Sequence, residues 1–436
     1  MVGSELLEHS PLGASGAYRW MVCPGSVGLS RGVPDDESEE AALGTAAHAL
    51  AEYCQSHKVE PWTLLGQYIN KQGEICTLVL EEDFDPKVGA ENLPADWHLI
   101  DKDMVDAVTG YLLEIDLWHP DRNQGNSWVE RKFHCPEIHK DFYGTGDYVH
   151  LTVVGDECTN MNTGETGKSE LCIIDIWDYK HGIGIVVEAT DNPQLMYYAA
   201  GVLEELNLWD EVDKIRLHIY QPRGWHWKGP HRIWEIDPDD LDEWLIETCV
   251  PSMNHALVSR DTKTGDHCRF CPARQRQCPA LMGDMAEYEE LLAMAEAAME
   301  EGAEPMTAAQ LGRILELESL SKIVIKAARA TAWKMLSNGH AVPGTKLVNS
   351  RTNRIYKDEK LATAAAKKKF GAKQAMTEPA LKSPAQIDAL PGGTEFTARW
   401  GFKPQGGTTI ALDKDTRRTI NRDTKSLFSP VSKGDE

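Results

Sequence analysis

Along the chain, stretches with helical spacing of apolar residues give way to runs of β-branched and aromatic residues. From Glu37 to Cys54, ESEEAALGTAAHALAEYC is Ala-rich with acids in its first turn, which predicts a helix. DKDMVDAVTGYLLEIDLWH predicts a second, amphipathic one. The pattern then changes. SWVERKFHC, DYVHLTVV and LCIIDIWDYK predict strands, the last two joined across the polar segment GDECTNMNTGETGKSE as a long-looped hairpin. Asp191, Asn192 and Pro193 carry the start signals of the helix DNPQLMYYAAGVLEELNL, KIRLHIYQPR reads as a further strand, and PDDLDEWLIETCV as a further helix.

This order predicts an α/β core over residues 1–283. Residues 284–340 read as a helical hairpin with Thr307 capping its second arm, and 341–436 as a C-terminal extension whose end, from about Gln405, is polar and expected to be mobile. There is no internal repeat.

Charge sharpens this division. The formal net charge is -23, which argues against a protein that coats nucleic acid through a basic surface. Residues 341–436, however, hold 18 Lys and Arg against 10 Asp and Glu, so an acidic body carries a basic tail. Within it, KDEKLATAAAKKKFGAKQ either contacts DNA phosphates or is a solvated face. No apolar run approaches the roughly 20 residues of a membrane helix, and the N-terminal stretch has no signal-peptide pattern. The expectation is a soluble, cytoplasmic protein whose ten cysteines stay reduced, so any that are grouped point to a metal or cluster.

The candidate chemistry lies in the strands. In LCIIDIWDYKHG, Asp178 and Lys180 share one face of a strand while Trp177 and Tyr179 share the other. In YGTGDYVHL, Asp147 follows Gly144 and Gly146 at the start of the neighbouring strand. Two carboxylates from adjacent strands and a lysine suit phosphodiester hydrolysis: Asp147 and Asp178 can hold Mg2+ or Mn2+, and Lys180 can place a water or oppose developing negative charge. Gly44 stands one turn before His48 on the first helix, and Gln194 and Tyr198 share a face of the helix after the DYK strand. Arg223, with Trp225 and Trp227 in YQPRGWHWKG, offers a cation and stacking surfaces for nucleic acid; core packing is the other reading of the two tryptophans.

Taken in order, G-x3-H, the strand acid Glu130, G-x-D, D-x-K and Q-x3-Y, with one cysteine before and C-x2-C-x6-C after, resemble the RecB-like branch of the PD-(D/E)XK nuclease superfamily. The set is most similar to that branch's iron-sulfur members, such as the AddB nuclease domain and the CRISPR-associated RecB-like exonucleases, and the full length to an uncharacterised phage-borne group. It covers about Ala14 to Leu281.

The resemblance implies a restriction-endonuclease-like mixed sheet flanked by helices, with His48, Asp147 and Asp178 binding metal and Lys180 catalytic. Glu130 would be a supporting acid, and Gln194 and Tyr198 would place DNA or the lysine. It also implies that Cys23 joins Cys268, Cys271 and Cys278 as fourth ligand. Four thiolates suit zinc or a 4Fe-4S cluster, and the Cys-Pro pairs at 23, 271 and 278 lean toward iron-sulfur. Cysteines 54, 76, 135, 158, 172 and 249 read as ordinary small apolar residues.

The implied activity is a metal-dependent DNA exonuclease acting on ends or single strands in phage or mobile-element replication or recombination. The alternative is a catalytically idle nuclease-fold module that recruits a replication or recombination partner. A zinc-dependent structural protein would use the cysteines alone. Because the stretch between Asp147 and Asp178 is long, a shifted register there would displace the metal site.

Overall fold

The computed structural model describes residues 10–33, 39–77, 96–120, 125–159, 166–183, 185–224, 226–275, 278–300, 304–349, 355–356, 358–377, 380–388, 393–402 and 408–412. The chain divides into two compact units, Met1–Leu320 and Ser321–Glu436.

In the first unit, two short helices, α1 (Ala17–Trp20) and α2 (Gly25–Ser30), precede the long α3 (Glu39–His57). Strands β1 (Tyr68–Ile69), β2 (Ile75–Cys76) and β3 (His98–Leu99) form a small antiparallel sheet. Asp101 caps α4 (Lys102–Trp118) by accepting from Met104 N–H at 2.8 Å. The central sheet follows: β4 (Gly125–His134), β5 (Tyr143–Thr159), β6 (Thr166–Tyr179), then α5 (Pro193–Leu206), β7 (Lys214–Tyr220) and β8 (His231–Ile236).

The spatial order is β4-β5-β6-β7-β8, with only β6 and β7 parallel. That one parallel pair requires a crossover, and α5 supplies it. Its start is as predicted: Asn192 accepts from the N–H groups of Gln194 and Leu195, with Pro193 in the first turn. Alternation along the strands separates two cores. Val149, Ile174 and Ile176 pack toward α5, while Tyr148, Trp177 and Tyr179 pack toward α3 and α4. The architecture is therefore α/β, a mixed five-strand sheet between helices. Helix α6 (Pro238–Trp244) runs through a π-helical turn, Leu245–Cys249, into α7 (Val250–Val258).

Two expectations are corrected. The segment predicted as a long loop continues the hairpin, because β5 and β6 pair from Tyr148↔Trp177 out to Thr159↔Thr166. Strand β8 was not anticipated. Its burial alternates, but with Arg232 buried and Ile233 exposed the residue types of HRIWEI do not follow it, so the apolar pattern of a half-buried strand is missing.

Helices α8 (Pro279–Ala297) and α9 (Ala308–Ser337) are the arms predicted after residue 283, and the boundary between the two units falls within α9. Thr307 and Gln310 form a reciprocal capping box at the start of α9, and Arg313 reaches Asp284 and Glu287 of α8. The second unit has its own small core of Ala366, Ala375, Ile387 and Phe396 around α10 (Glu359–Phe370). Thr408–Leu412 pairs with Thr345–Asn349, so part of the end expected to be mobile is a strand; residues 413–436 lie outside the described residues. Among the described residues no helix is long and apolar enough to cross a membrane.

Gly201 of α5 faces Phe133 of β4 so closely that a Cβ there would stand 2.3 Å from the ring. Gly201→Ala is expected to lower stability by about 1–3 kcal/mol in chemical denaturation, through overpacking rather than helix propensity.

Candidate metal centre

The site forms beside the end of β6, from the middle of β4 and the first part of β5, next to α3 and α5. Register brings the acids together. Val129 faces Tyr148 and Arg131 faces Gly146, so Glu130 stands opposite Asp147; the pair Tyr148↔Trp177 likewise sets Asp147 opposite Asp178. The metal site is therefore not displaced by a register shift. At these positions the ladder is interrupted. Glu130 has φ +48°, a left-handed conformation uncommon for glutamate, and strained backbone of this kind concentrates at functional sites.

Asp147 Oδ2 accepts the main-chain N–H of Tyr179 at 2.8 Å and lies 3.3 Å from His48 Nδ1. One ligand atom each from His48, Glu130 and Asp147 falls within 4.8 Å of the other two, the one such group of His, Cys, Asp and Glu among the described residues. Glu130 thus takes the place in the cluster that the sequence reading assigned to Asp178.

The buried Asp178 has other partners. Lys180 Nζ pairs with its Oδ2 at 2.7 Å. Gln194 Nε2 donates to Asp178 Oδ1 at 3.2 Å and to Tyr198 Oη at 2.9 Å, while its Oε1 accepts from Lys180 Nζ at 3.0 Å. Gln194 is the link that aims the lysine. Tyr198 is buried behind it, so its reach is to Gln194 and not to a bound strand.

These charges shape one another. Burial works against charge on His48, but Asp147, followed by Asp178 and Glu130, raises it to about 9. Burial and the charge of Asp147 push Glu130 up to about 8. Burial pushes Asp178 up to about 6, with Lys180 pulling it down and Asp147 pushing it up again. Asp147 is held below the usual carboxylate range: burial opposes this, and the His48 charge and hydrogen bond, Lys180 and the Tyr179 N–H outweigh it. Without a cation the cluster stores protons on His48 and Glu130 at neutral pH. His48 suits Mn2+ better than Mg2+, which prefers oxygen, and the carboxylates suit either.

Arg223 follows β7, and its guanidinium reaches His181 O at 3.5 Å on the loop after β6. Trp227 is 74% exposed, which removes core packing as its role; Trp225 lies outside the described residues.

The four cysteines lie at a second place. Cys23, Cys268, Cys271 and Cys278 are all buried and unpaired. Burial pushes the Cys271 thiol up and Arg19 pulls it down, while Cys23 and Cys278 push it up, so three of the sulfurs share one electrostatic neighbourhood. Cys271 N–H donates to Cys268 O at 3.3 Å, and Lys263 N–H points at Cys23 Sγ at 3.4 Å. Gly25 seats the N-terminal segment here. Its N–H donates to Asp261 O at 2.8 Å, and a Cβ would meet the 260–261 backbone at 2.7 Å.

Fold and site together define an α/β protein with a mixed five-strand sheet, carrying a His/Glu/Asp cluster formed by α3, β4 and β5 beside the end of β6. The chain belongs to the family described as "Protein of unknown function (DUF2800)", whose model matches residues 9–418. No solved structure matches it.

A cation entering the cluster must displace protons from His48 and Glu130. Its affinity is therefore expected to rise as pH increases from 6 toward 9, with proton release that titration calorimetry in two buffers measures. The unsubstituted chain is expected to gain melting temperature on adding Mn2+, and His48→Ala and Asp147→Ala to abolish that gain.

Proposed function

We propose that this protein is a metal-dependent deoxyribonuclease of the RecB-like PD-(D/E)XK type, acting as an exonuclease on DNA ends or single strands. The observation that carries the reading is the meeting, beside the end of β6, of a three-residue cation cluster with a lysine held by Asp178 and Gln194. Phosphodiester hydrolysis needs a water activated for attack, a group to take its proton and positive charge near the phosphate.

His48, Glu130 and Asp147 would hold the cation, which when bound acidifies a water and opposes phosphate charge. Asp178, whose Oδ2 is paired with Lys180 at 2.7 Å, would stand beside the cation and could join its coordination. Lys180, fixed by Gln194, has its ammonium placed to counter charge growing on the phosphate oxygens. Arg223, the exposed Trp227 and Lys228, whose ammonium lies 5.1 Å over the Trp227 ring, offer phosphate and base contacts on the loop following β7. Ligands of open α/β sheets collect at the carboxyl ends of parallel strands, where this loop starts. Phage or mobile-element replication and recombination is the setting that the sequence resemblance suggests.

For the cysteines we propose a structural 4Fe-4S cluster. The Cys-Pro pairs at 23, 271 and 278 support it over a single zinc ion. Holding the segment around Cys23 against residues 260–278 would close a loop through the whole sheet, so its contribution is to folding.

With Mn2+ or Mg2+, the unsubstituted chain is expected to release nucleotides from 5'- and 3'-labelled DNA, and Asp178→Ala and Lys180→Ala to do so about 100-fold more slowly or worse. Equal background release by all three would favour the idle binding module. Anaerobic purification is expected to yield a brown protein, and Cys23→Ser to lose the colour and fold less stably. A colourless protein with stoichiometric zinc would overturn the iron assignment.

A further inference from the structure

On the opposite face of β6 from Asp178 lies a line of ionisable groups that the site does not use. Asp175 Oδ1 stands 2.8 Å from His218 Nε2; His218 Nδ1 stands 2.9 Å from His231 Nε2; His231 Nδ1 stands 2.9 Å from Glu114 Oε1. The links use different ring nitrogens, so the four groups run in series from β6 through β7 and β8 to α4 rather than converging as metal ligands do. Asp175 and His218 are fully buried, whereas the Glu114 side chain is 33% exposed and gives the line one end in water.

Proton counting constrains this line. Each of the three contacts needs one hydrogen. Asp175 Oδ1 also receives Trp118 Nε1–H at 3.2 Å and has Arg216 at 4.0 Å, so it accepts, and His218 Nε2 carries the hydrogen. Two more are needed for the contacts on either side of His231. Two ionised carboxylates and two neutral imidazoles bring only two hydrogens in all. Without a third, either the lone pairs of His218 Nδ1 and His231 Nε2 face each other at 2.9 Å, or a bare His231 Nδ1 faces the Glu114 carboxylate at 2.9 Å. Shifting the proton to Glu114 leaves the count unchanged.

We propose that Glu114, His231, His218 and Asp175 form a buried proton-binding site that holds one proton more than its two carboxylates and two neutral imidazoles carry. The site is independent of the nuclease reading. Burial pushes each ring singly toward neutrality, His218 to about 4, against the pull of Asp175 and Glu114. The nitrogen–nitrogen contact decides in favour of the proton, and the two rings titrate as one unit.

The surroundings suit this. The Trp177 indole stacks on His218, with centroids 4.1 Å apart, and on His231, at 4.7 Å, so a shared positive charge lies against its π face. From β7, Arg216 is drawn away by Glu235 of β8 at 3.3 Å, and Arg232 of β8 also bears on His231. From the end of α4, His119 Nε2 accepts Trp177 Nε1–H at 3.2 Å and so carries no proton there. His150 of β5 is bonded to Ser127 of β4. The proton thus holds Trp177 between β7, β8 and α4, one residue before Asp178.

Nitrogen-15 spectra of the histidine rings in the full-length chain test the proposal directly. At pH 7, His218 and His231 are expected to carry three ring hydrogens between them, or two with the third on Glu114. Two neutral rings beside an ionised Glu114, in either tautomer of His231, would overturn it. A second test uses His231→Gln, whose amide N–H can meet His218 Nδ1 without an extra proton.

Because the folded chain binds a proton that the unfolded chain releases above about pH 6.5, this stability is present at lower pH and lost as pH rises through the folded pair's own pKa. Between pH 7 and 9 the unfolding constant of the unsubstituted chain is expected to rise by up to about tenfold per pH unit more than that of His231→Gln. Parallel curves would overturn it. Should the variant fail to fold, the spectra of the unsubstituted chain decide.

Discussion

The hydrogen bond from Tyr179 N–H to Asp147 Oδ2 is the contact on which the rest of the site depends. A side-chain oxygen takes a strand amide where the ladder between β5 and β6 stops, so the two strands stay in register while their ends part. That single substitution of partners holds Asp147 beside His48 and leaves Asp178 opposite it, free to face Lys180 and Gln194. Glu130, with its left-handed backbone, completes the cluster from β4. A sheet end would otherwise expose its last polar groups to water. Here they are turned inward against two helices, and their charges are offset among themselves.

Strand β6 shows how unusual this is. CIIDIWDY, residues 172–179, is buried along its length, as a central strand covered on both faces should be, yet it holds two carboxylates. Burying an unpaired carboxylate is strongly unfavourable, so each needs an answer nearby. Asp178 is answered on the α5 face by lysine and glutamine. Asp175 is answered on the α4 face by a histidine, a tryptophan and a distant arginine. Two buried acids in one strand, each with its own network, divide the sheet into a face for chemistry and a face for holding the strand in place.

Much of this was legible in the sequence, and the parts that were not share a cause. Local signals read true: Asn192 and Pro193 at the start of α5, Thr307 with Gln310 at the start of α9, and the strand pattern around Asp147 and Asp178. Features set by long-range geometry did not. The polar composition of residues 155–170 read as a loop because strand pairing beyond the core leaves no apolar mark. Glu130 entered the cation cluster through a positive φ that no residue type announces, displacing Asp178 from it. The Asp175–His218–His231–Glu114 line is spread over four elements, so each member looks like an ordinary polar residue until the sheet brings it to the next.

The central claim is that His48, Glu130 and Asp147 hold a divalent cation beside Asp178 and Lys180. Anomalous diffraction from crystals grown with Mn2+ tests it most directly. The account predicts a peak within bonding distance of His48, Glu130 and Asp147, next to the Asp178 carboxylate. A fully occupied Mn2+ bound elsewhere, with His48 still paired to Asp147, would contradict it.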